Sequence, residues 1–474
     1  MLLRHSLYYL LARGIPGLVN FVALAVYTRL LAPQAFGQYA LVVAGIGLAD
    51  VVVFQWLRLV LARFWPAHKD DPQRLLAGIL ALFLLLALTV TGIGSLLALA
   101  WPDPVWQRLL ALAVPLLLAQ AWLEVTLGLA QIQLKPAWYG RILAGKAVIA
   151  LALGGLLAWI GLGAVAPLTG LLLAHVLAFL LFALPAWRGI VPRWPAAAAL
   201  RDQLRYGLPL TVTFALAWVI TSSDRLLIAW LLDDASVGVY AAGYDLAEQG
   251  VMLLLTIVNT AAYPLAVHAM EDGGPTLARA QLVQNGTLIV AVGLMAAAGL
   301  SVLAPQIVAV LIGEQFRPGA LLIMPWVGAA AAVAGIRAYH FDIAFHLGHK
   351  SHLLVITGGV AASANVVLNL LLIPRAGILG AAWATLAAFL LAALASAWLG
   401  RRVMAMPPLA PLLAPGAALA AVVGAAAWGA ARLNDVTWFS LTLGLTTGLL
   451  TALLATFAVN LAGMRDVLLR MVRP

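Results

Sequence analysis

The sequence predicts an all-α polytopic membrane protein: about 14 transmembrane helices, in two pseudo-symmetric six-helix lobes followed by two further C-terminal helices. Three observations predict it. Of 474 residues, 64% are hydrophobic and 9% charged, with a mean hydropathy of +1.04, whereas a soluble domain has about a quarter of its residues charged. The apolar runs are roughly 20 residues or longer, the length of a membrane helix rather than of a barrel strand. And short motifs of the first half recur, in the same order, in the second.

Hydropathy and the Pro, Gly and charge breaks place the spans near 9–31, 37–60, 75–100, 107–130, 142–161, 164–186, 207–232, 237–262, 286–312, 319–345, 352–373, 377–400, 409–430 and 437–461. The segment Met1–Arg13 is basic, but the apolar run after it is too long for a secretory signal and lacks a cleavage site, so it reads as a first span. Connections are short. The longest expected are Trp187–Arg205 and Tyr263–Asn285, and neither could hold a soluble domain.

The net charge of +10 has a membrane explanation. With the N-terminus inside, the inner loops and span ends collect most of the Lys and Arg, including Arg63, Lys69, Arg74, Lys135, Arg141, Arg188, Arg193, Arg201, Arg401 and Arg402. The outer side holds only Arg29, Arg108, Arg317, Arg375 and Arg432. This asymmetry predicts two cytoplasmic termini and an even number of spans, and it accounts for the basic pI without a nucleic-acid partner. With no cysteine, disulfides and thiolate metal sites are excluded.

The repeat is specific in three places. Arg13-Gly-Ile-Pro16 matches Arg205-Tyr-Gly-Leu-Pro209 with one inserted residue. Gly37-Gln-Tyr39-Ala40 matches Gly238-Val-Tyr240-Ala241, and Gly161-Leu-Gly-Ala164 matches Gly377-Ile-Leu-Gly380-Ala381. Six spans separate equivalents, so the halves share one orientation, a parallel repeat of the kind that encloses a transport path. The expected domains are residues 1–200 (spans 1–6), 201–404 (spans 7–12) and 405–474 (spans 13 and 14 with the tail).

Charge within apolar spans marks the candidate sites, because an ionisable group in hydrocarbon costs several kcal/mol and usually lines a polar path. Span 7 carries Asp224 and Arg225, whose side chains point about 100° apart and so do not simply pair. Arg225 reads either as an anion-binding guanidinium or as an interhelical ion pair with Asp245 or Glu248, which lie one turn apart on span 8. Arg13 and Asn20 share a helical stripe with Gly17 and Tyr27 on span 1. Arg58, near the inner interface, either snorkels or faces a cavity, while Arg337 lies too deep in span 10 to snorkel easily and is expected at a cavity. The candidate substrate-binding residues are thus Arg13, Asn20, Arg58, Arg225 and Arg337. Asp50, Glu124, Asp224, Asp245 and Glu248 are candidates for ion coupling or for salt bridges. His346, His349 and His352, with Asp342, have spacing that would suit a metal, but they fall at an inner loop beside Lys350 where a solvated face is the commoner outcome. No metal site and no cofactor are expected, and no phosphate loop, metalloprotease motif or nucleophile elbow is present.

Arg13-Gly-Ile-Pro-Gly17, Tyr27-Thr-Arg-Leu-Leu31-Ala-Pro33 and Phe36-Gly-Gln-Tyr39-Ala40-Leu41, with Asp224-Arg225 followed by Gly238-Val-Tyr240, resemble polysaccharide-biosynthesis flippases of the Wzx type. These form a branch of the multidrug/oligosaccharidyl-lipid/polysaccharide (MOP) exporter superfamily. The resemblance implies two six-helix lobes alternating between inward-open and outward-open states. It also implies a lipid-linked oligosaccharide, commonly on undecaprenyl pyrophosphate, moved from the cytoplasmic to the periplasmic leaflet of the bacterial inner membrane. In such proteins basic cavity residues hold the pyrophosphate, which would fall here to Arg13, Arg225 and Arg337. Spans 13 and 14 resemble the extra pair of the related lipid II flippases. The implied partners are the lipid-linked glycan, the bilayer and polysaccharide polymerase or assembly proteins, around a monomer that is not an enzyme. A multidrug cation exporter of the same superfamily is the nearest alternative, but it would favour acidic cavity residues and 12 spans. A membrane-embedded glycan polymerase or ligase would need a larger extramembrane loop.

Overall fold

The computed structural model describes residues 2–463, 465 and 466, and side chains over that range apart from 2–13, 15, 213 and 217. Every element of regular structure among them is helical. Proline opens most of the early helices, where its missing N–H is not needed and its fixed φ suits the first turn: α2 (Pro33–His68), α3 (Pro72–Ala100), α4 (Pro104–Ile132) and α5 (Pro136–Trp159) all begin so. α1 (Leu2–Leu30) precedes them, and α6 (Val165–Trp187) and α7 (Ala197–Leu231) follow.

Two apolar helical runs in the second half are too long for single spans, at 78 residues (Asp234–Leu311) and 48 residues (Leu353–Gly400). Each is a hairpin broken at one glycine with positive φ, Gly274 (φ 64°) and Gly377 (φ 58°). The pairing across the breaks proves the reversal. Asn285 Nδ2 donates to Ala262 O at 2.7 Å, and a Cβ on Gly293 would lie 3.5 Å from Leu255 Cδ2. In the shorter hairpin, a Cβ on Gly380 would lie 2.3 Å from Leu372 O. We therefore count α8 (234–273), α9 (275–311), α10 (Glu314–Leu347), α11 (353–376), α12 (378–400), α13 (Ala410–Ala431) and α14 (Thr437–Ala458). Among the described residues these 14 helices match the expected spans in number and order.

Both long connections expected are partly helix, since α7 already begins at Ala197 within Trp187–Arg205. Tyr263–Asn285 is not a loop but helix throughout apart from Gly274. Gly273-Gly274-Pro275 supplies a left-handed helix end followed by a proline at the next helix start, and Thr276–Asn285 is rich in helix formers. Both limbs therefore run on beyond their apolar parts as a polar helical tip carrying Glu271, Asp272 and Arg279.

Packing divides the chain into two compact units, Met1–Arg225 and Leu226–Pro474. The boundary lies within α7, later than the repeat boundary near residue 200. The reason is local: a Cβ on Gly207 would lie 3.0 Å from Trp56 Cβ, Gly47 sits under Trp218, and Phe64 meets Tyr206 edge-on. Most of α7 thus packs on α2.

The core of the first unit joins α2, α3, α4 and α6 through Phe54, Leu57, Leu61, Ile79, Leu109, Leu116, Leu129 and Leu168. That of the second joins α8, α9 and α10 through Val251, Leu255, Ile289, Val290 and Ile336. Lipid tails are as apolar as leucine, so close packing rather than water exclusion holds such helices together, and small residues permit it. Leu88, Leu96, Leu394 and Leu454 are exposed on the outside, as a lipid-facing surface requires. At the helix ends Arg402 stacks on Trp398 and Arg432 on Trp428, both at 3.8 Å, pairings suited to the membrane–water interface.

A close backbone contact in the first unit joins α5 to α6 across the turn that holds Gly161 (φ 89°) and Gly163 (φ 56°). A Cβ on Gly170 would lie 2.5 Å from Gly154 Cα and N, with no flexible side chain able to yield. Gly170→Ala should therefore lower the thermal unfolding temperature in detergent by the equivalent of about 1–3 kcal/mol. Gly45→Ala, at an exposed helical site with nothing within 4 Å, should leave it unchanged or raise it slightly.

Candidate functional site

The first unit contains a three-member charge cluster. On a regular helix Asp50 and Arg58 would stand roughly 80° apart. A π turn over Asp50–Phe54, closed by the Gln55 N–H donating to Asp50 O, absorbs one extra residue and brings them within about 20° of one face. Arg58 Nη2 donates to Asp50 Oδ2 at 2.9 Å and also meets Gln55 Oε1 in a short contact. Arg58 Nη1 donates across to Glu124 Oε2 on α4 at 3.2 Å. Asp50 is 5% exposed, and its Oδ1 has no hydrogen-bond partner. One guanidinium thus serves two carboxylates, and with all three ionised the cluster carries a net −1.

The second unit repeats the device on α10. Arg337 and Asp342 would lie about 140° apart on a regular helix. The π turn over Arg337–Phe341, closed by the Asp342 N–H donating to Arg337 O at 2.9 Å, swings them to about 40°. Arg337 Nε then lies 3.4 Å from Asp342 Oδ2. His340, within the same turn, is 1% exposed, and neither ring nitrogen has a partner. Ser396 on α12 lies beside Asp342, and Thr256 on α8 bonds Tyr339 on α10 at 3.0 Å.

The remaining sequence candidates lie as follows. Arg13 falls outside the described side chains. Asn20 is exposed on α1, but its stripe-mate Tyr27 is buried and donates to Ala150 O at 3.2 Å, so this residue packs α1 on α5 rather than lining a path. Asp224 is buried at 1% exposure, and Arg225 is half-buried beside it. Asp245 and Glu248 are half-buried on α8. His346, His349 and His352 are exposed around the α10–α11 turn. The pairing of Arg337 with Asp342 and the burial of His340 could not be read from helical spacing, because the π turn changes the period where they occur.

With this geometry in place, comparison with known proteins is informative. The family model for polysaccharide biosynthesis proteins matches residues 26–320, more than half of the chain. The chain belongs to that family. No curated protein matches its sequence. Among solved structures it resembles the lipid II flippase MurJ in an inward closed conformation, at 12% identity and a TM-score of 0.77, over 97% of this chain and 99% of that one. It also resembles a multidrug resistance MATE family transporter of the MOP superfamily in its inward-facing conformation (16% identity, TM-score 0.59, 83% of this chain and 97% of that one). A MOP superfamily transporter from Pyrococcus furiosus matches equally well (16% identity, TM-score 0.59, 84% and 94%). The fold is therefore that of MOP superfamily membrane proteins, as the sequence motifs imply.

In both clusters the arginine is charge-compensated by its own unit. Removing Arg58 alone would strand two carboxylates in the membrane, at a cost on the order of 3 kcal/mol. Arg58→Met should accordingly lower the melting temperature of the purified protein markedly. The triple variant Arg58→Met/Asp50→Asn/Glu124→Gln should recover most of that loss. A triple variant no more stable than the single one would show that Arg58 does not balance these carboxylates.

Proposed function

We propose that the protein is a flippase that moves a lipid-linked oligosaccharide, of the undecaprenyl-pyrophosphate type, from the cytoplasmic to the periplasmic leaflet of the bacterial inner membrane by alternating access. The observation that carries this reading is the family match over residues 26–320, joined to a fold shared along almost the whole chain with a lipid II flippase. The covered share is 97% for that flippase and 83% for the multidrug transporter, and the difference is about the size of the last two helices with their tail. α13 and α14 thus favour the lipid-flippase branch.

The physical logic is direct. A glycan headgroup cannot cross hydrocarbon unaided, so polar side chains must replace its water while the polyprenyl tail stays in lipid. Cationic groups offset the diphosphate, and arginine suits it because its planar fork matches two phosphate oxygens. Arg13, Arg58, Arg225 and Arg337, with Asn20, are the proposed substrate contacts. Asp50 and Glu124, and with them Asp224, Asp245 and Glu248, are the proposed ion-coupling groups. The repeat lobes 1–200 and 201–404 supply the two elements that such a cycle moves, 405–474 adds the lipid-side pair, and both termini are cytoplasmic by the Lys/Arg asymmetry. A monomer suffices for this reading, with polymerase or assembly proteins as its partners.

The test is a leaflet assay in proteoliposomes holding the purified protein and an undecaprenyl-pyrophosphate oligosaccharide. Wild type should carry the glycan to the opposite face. Arg225→Ala should reduce that rate about tenfold or more, the equivalent of one charge-assisted contact, while remaining folded. Efflux of an organic cation with no glycan movement would reassign the protein to the drug-exporter branch.

A further inference from the structure

A buried carboxylate oxygen with no donor is costly inside a membrane protein, and Asp50 has one. The residue is 5% exposed; its Oδ2 accepts from Arg58 Nη2 at 2.9 Å, while Oδ1 is buried without a partner. Glu124 takes the other end of the same guanidinium, Nη1, at 3.2 Å, and its side chain is 33% exposed. Arg58 Nε does not reach Asp50 Oδ1, since both atoms are buried and unpartnered. No second cation helps. Among the described residues, Arg58 and Glu124 are the charged groups that act on Asp50. Beyond Glu124, α4 carries only Arg108, exposed near its far end. α3 is uncharged past Arg74 in its first turn, and α7 passes Gly47 and Trp56 with residues 207–218, none of them charged. α6 carries only His175, whose Nδ1 lies 2.7 Å from Leu171 O on its own helix. A metal ion suits this place poorly. Ca2+ or Mg2+ takes about six or more oxygens, whereas Asp50 Oδ2, Gln55 Oε1 and Glu124 Oε2 are all turned on Arg58. Among the described residues no three acidic or histidine side chains are grouped to hold one. A proton needs a single oxygen.

We propose that Asp50, Arg58 and Glu124 form a one-proton site that is occupied at neutral pH, with the proton on Asp50 Oδ1. The proton passes from water to that oxygen, forming one O–H bond, and no other bond changes. Arg58 then balances Glu124 and the cluster is neutral, whereas without the proton it carries −1. A buried neutral hydroxyl lacking an acceptor costs much less than a buried carboxylate whose charge is only half matched. Oδ2 still accepts from Arg58 in either state, so the proton comes and goes without breaking the pair within α2. The two carboxylates titrate together, because they draw on one guanidinium. The use of this proton to drive a transport cycle rests on the ion-coupling reading above, whereas its presence rests on the geometry alone.

The experiment is infrared spectroscopy of the full-length protein in vesicles of ether-linked phosphatidylcholine, whose lipids contribute no carbonyl band. At pH 7 wild type should show a protonated-carboxyl band that moves when aspartate is 13C-labelled at its side-chain carboxyl. Asp50→Asn should lose intensity in that band. Glu124→Gln should lose the same amount, because Arg58 can then balance an ionised Asp50 by itself. Raising the pH should remove this intensity from wild type, and exchanging potassium for sodium should leave it unchanged. If Asp50→Asn does not fold, the labelled wild type and Glu124→Gln decide the matter. A wild type without an aspartic-acid band overturns the proposal, as does a band that Asp50→Asn leaves whole. A band that Glu124→Gln leaves whole overturns the shared arginine as its cause. One that sodium removes gives the site to a metal cation instead of a proton. None of these readouts depends on transport, so a failed leaflet assay and a failed proton site are separate results.

Discussion

A charge inside a membrane must meet an opposite charge or a polar partner, and this constraint shapes both units. The chain meets it twice by the same means: a π turn at the charged position. One extra residue in one turn costs good hydrogen-bond geometry locally. In return it rotates Asp50 onto the face of Arg58 and Asp342 onto the face of Arg337. Because the two pairs are intrahelical, each forms without help from the other unit. The pairing also explains why these helices tolerate arginine among buried leucines such as Leu57 and Leu61, which are fully buried beside Arg58.

The second organising device is glycine at helix reversals. Gly161 and Gly377 occupy equivalent places in the repeat, and both have positive φ. The motif match thus has a backbone cause: each marks a tight hairpin between two apolar helices, where an L-residue with a Cβ would be strained. Beyond the turns, Gly154, Gly170 and Gly380 let the antiparallel limbs touch backbone to backbone. In a bilayer, where burial of apolar surface supplies little force between helices, such contacts carry much of the packing energy.

Much of this was legible in the sequence. Spans followed from hydropathy, helix starts from Pro33, Pro72, Pro104 and Pro136, and the family from motifs near Pro16, Tyr39 and Tyr240. What escaped around Arg337 did so for a physical reason: helical spacing assumes 3.6 residues per turn. A regular period sends Asp342 about 140° away from Arg337, so spacing alone groups it with the histidines that follow rather than with that arginine. Tyr263–Asn285 escaped differently. Its polar residues suggest a loop, but they sit on helices that outlast their membrane-embedded parts. Tyr27 itself turns out to pack, because a tyrosine can satisfy its hydroxyl on a neighbouring backbone, here Ala150 O, as readily as in a hydrated path.

The compensation of Arg58 and Arg337 bears on how a carrier of this family could work. A bare guanidinium would hold a diphosphate tightly in every state, and equal affinity for two states shifts nothing between them. A guanidinium already paired with a carboxylate binds an anion against the charge of that partner, so the net gain depends on where the carboxylate goes. In the first unit two carboxylates compete for one arginine, and the cluster retains a negative charge that a cation could neutralise. In the second a single carboxylate is opposed by one arginine. The two units thus offer unlike electrostatics built on like helices. Under the flippase reading, this asymmetry gives ions and substrate different holds on the two halves of the repeat, so that each can bias the two states differently while the coupled gradient sets the direction.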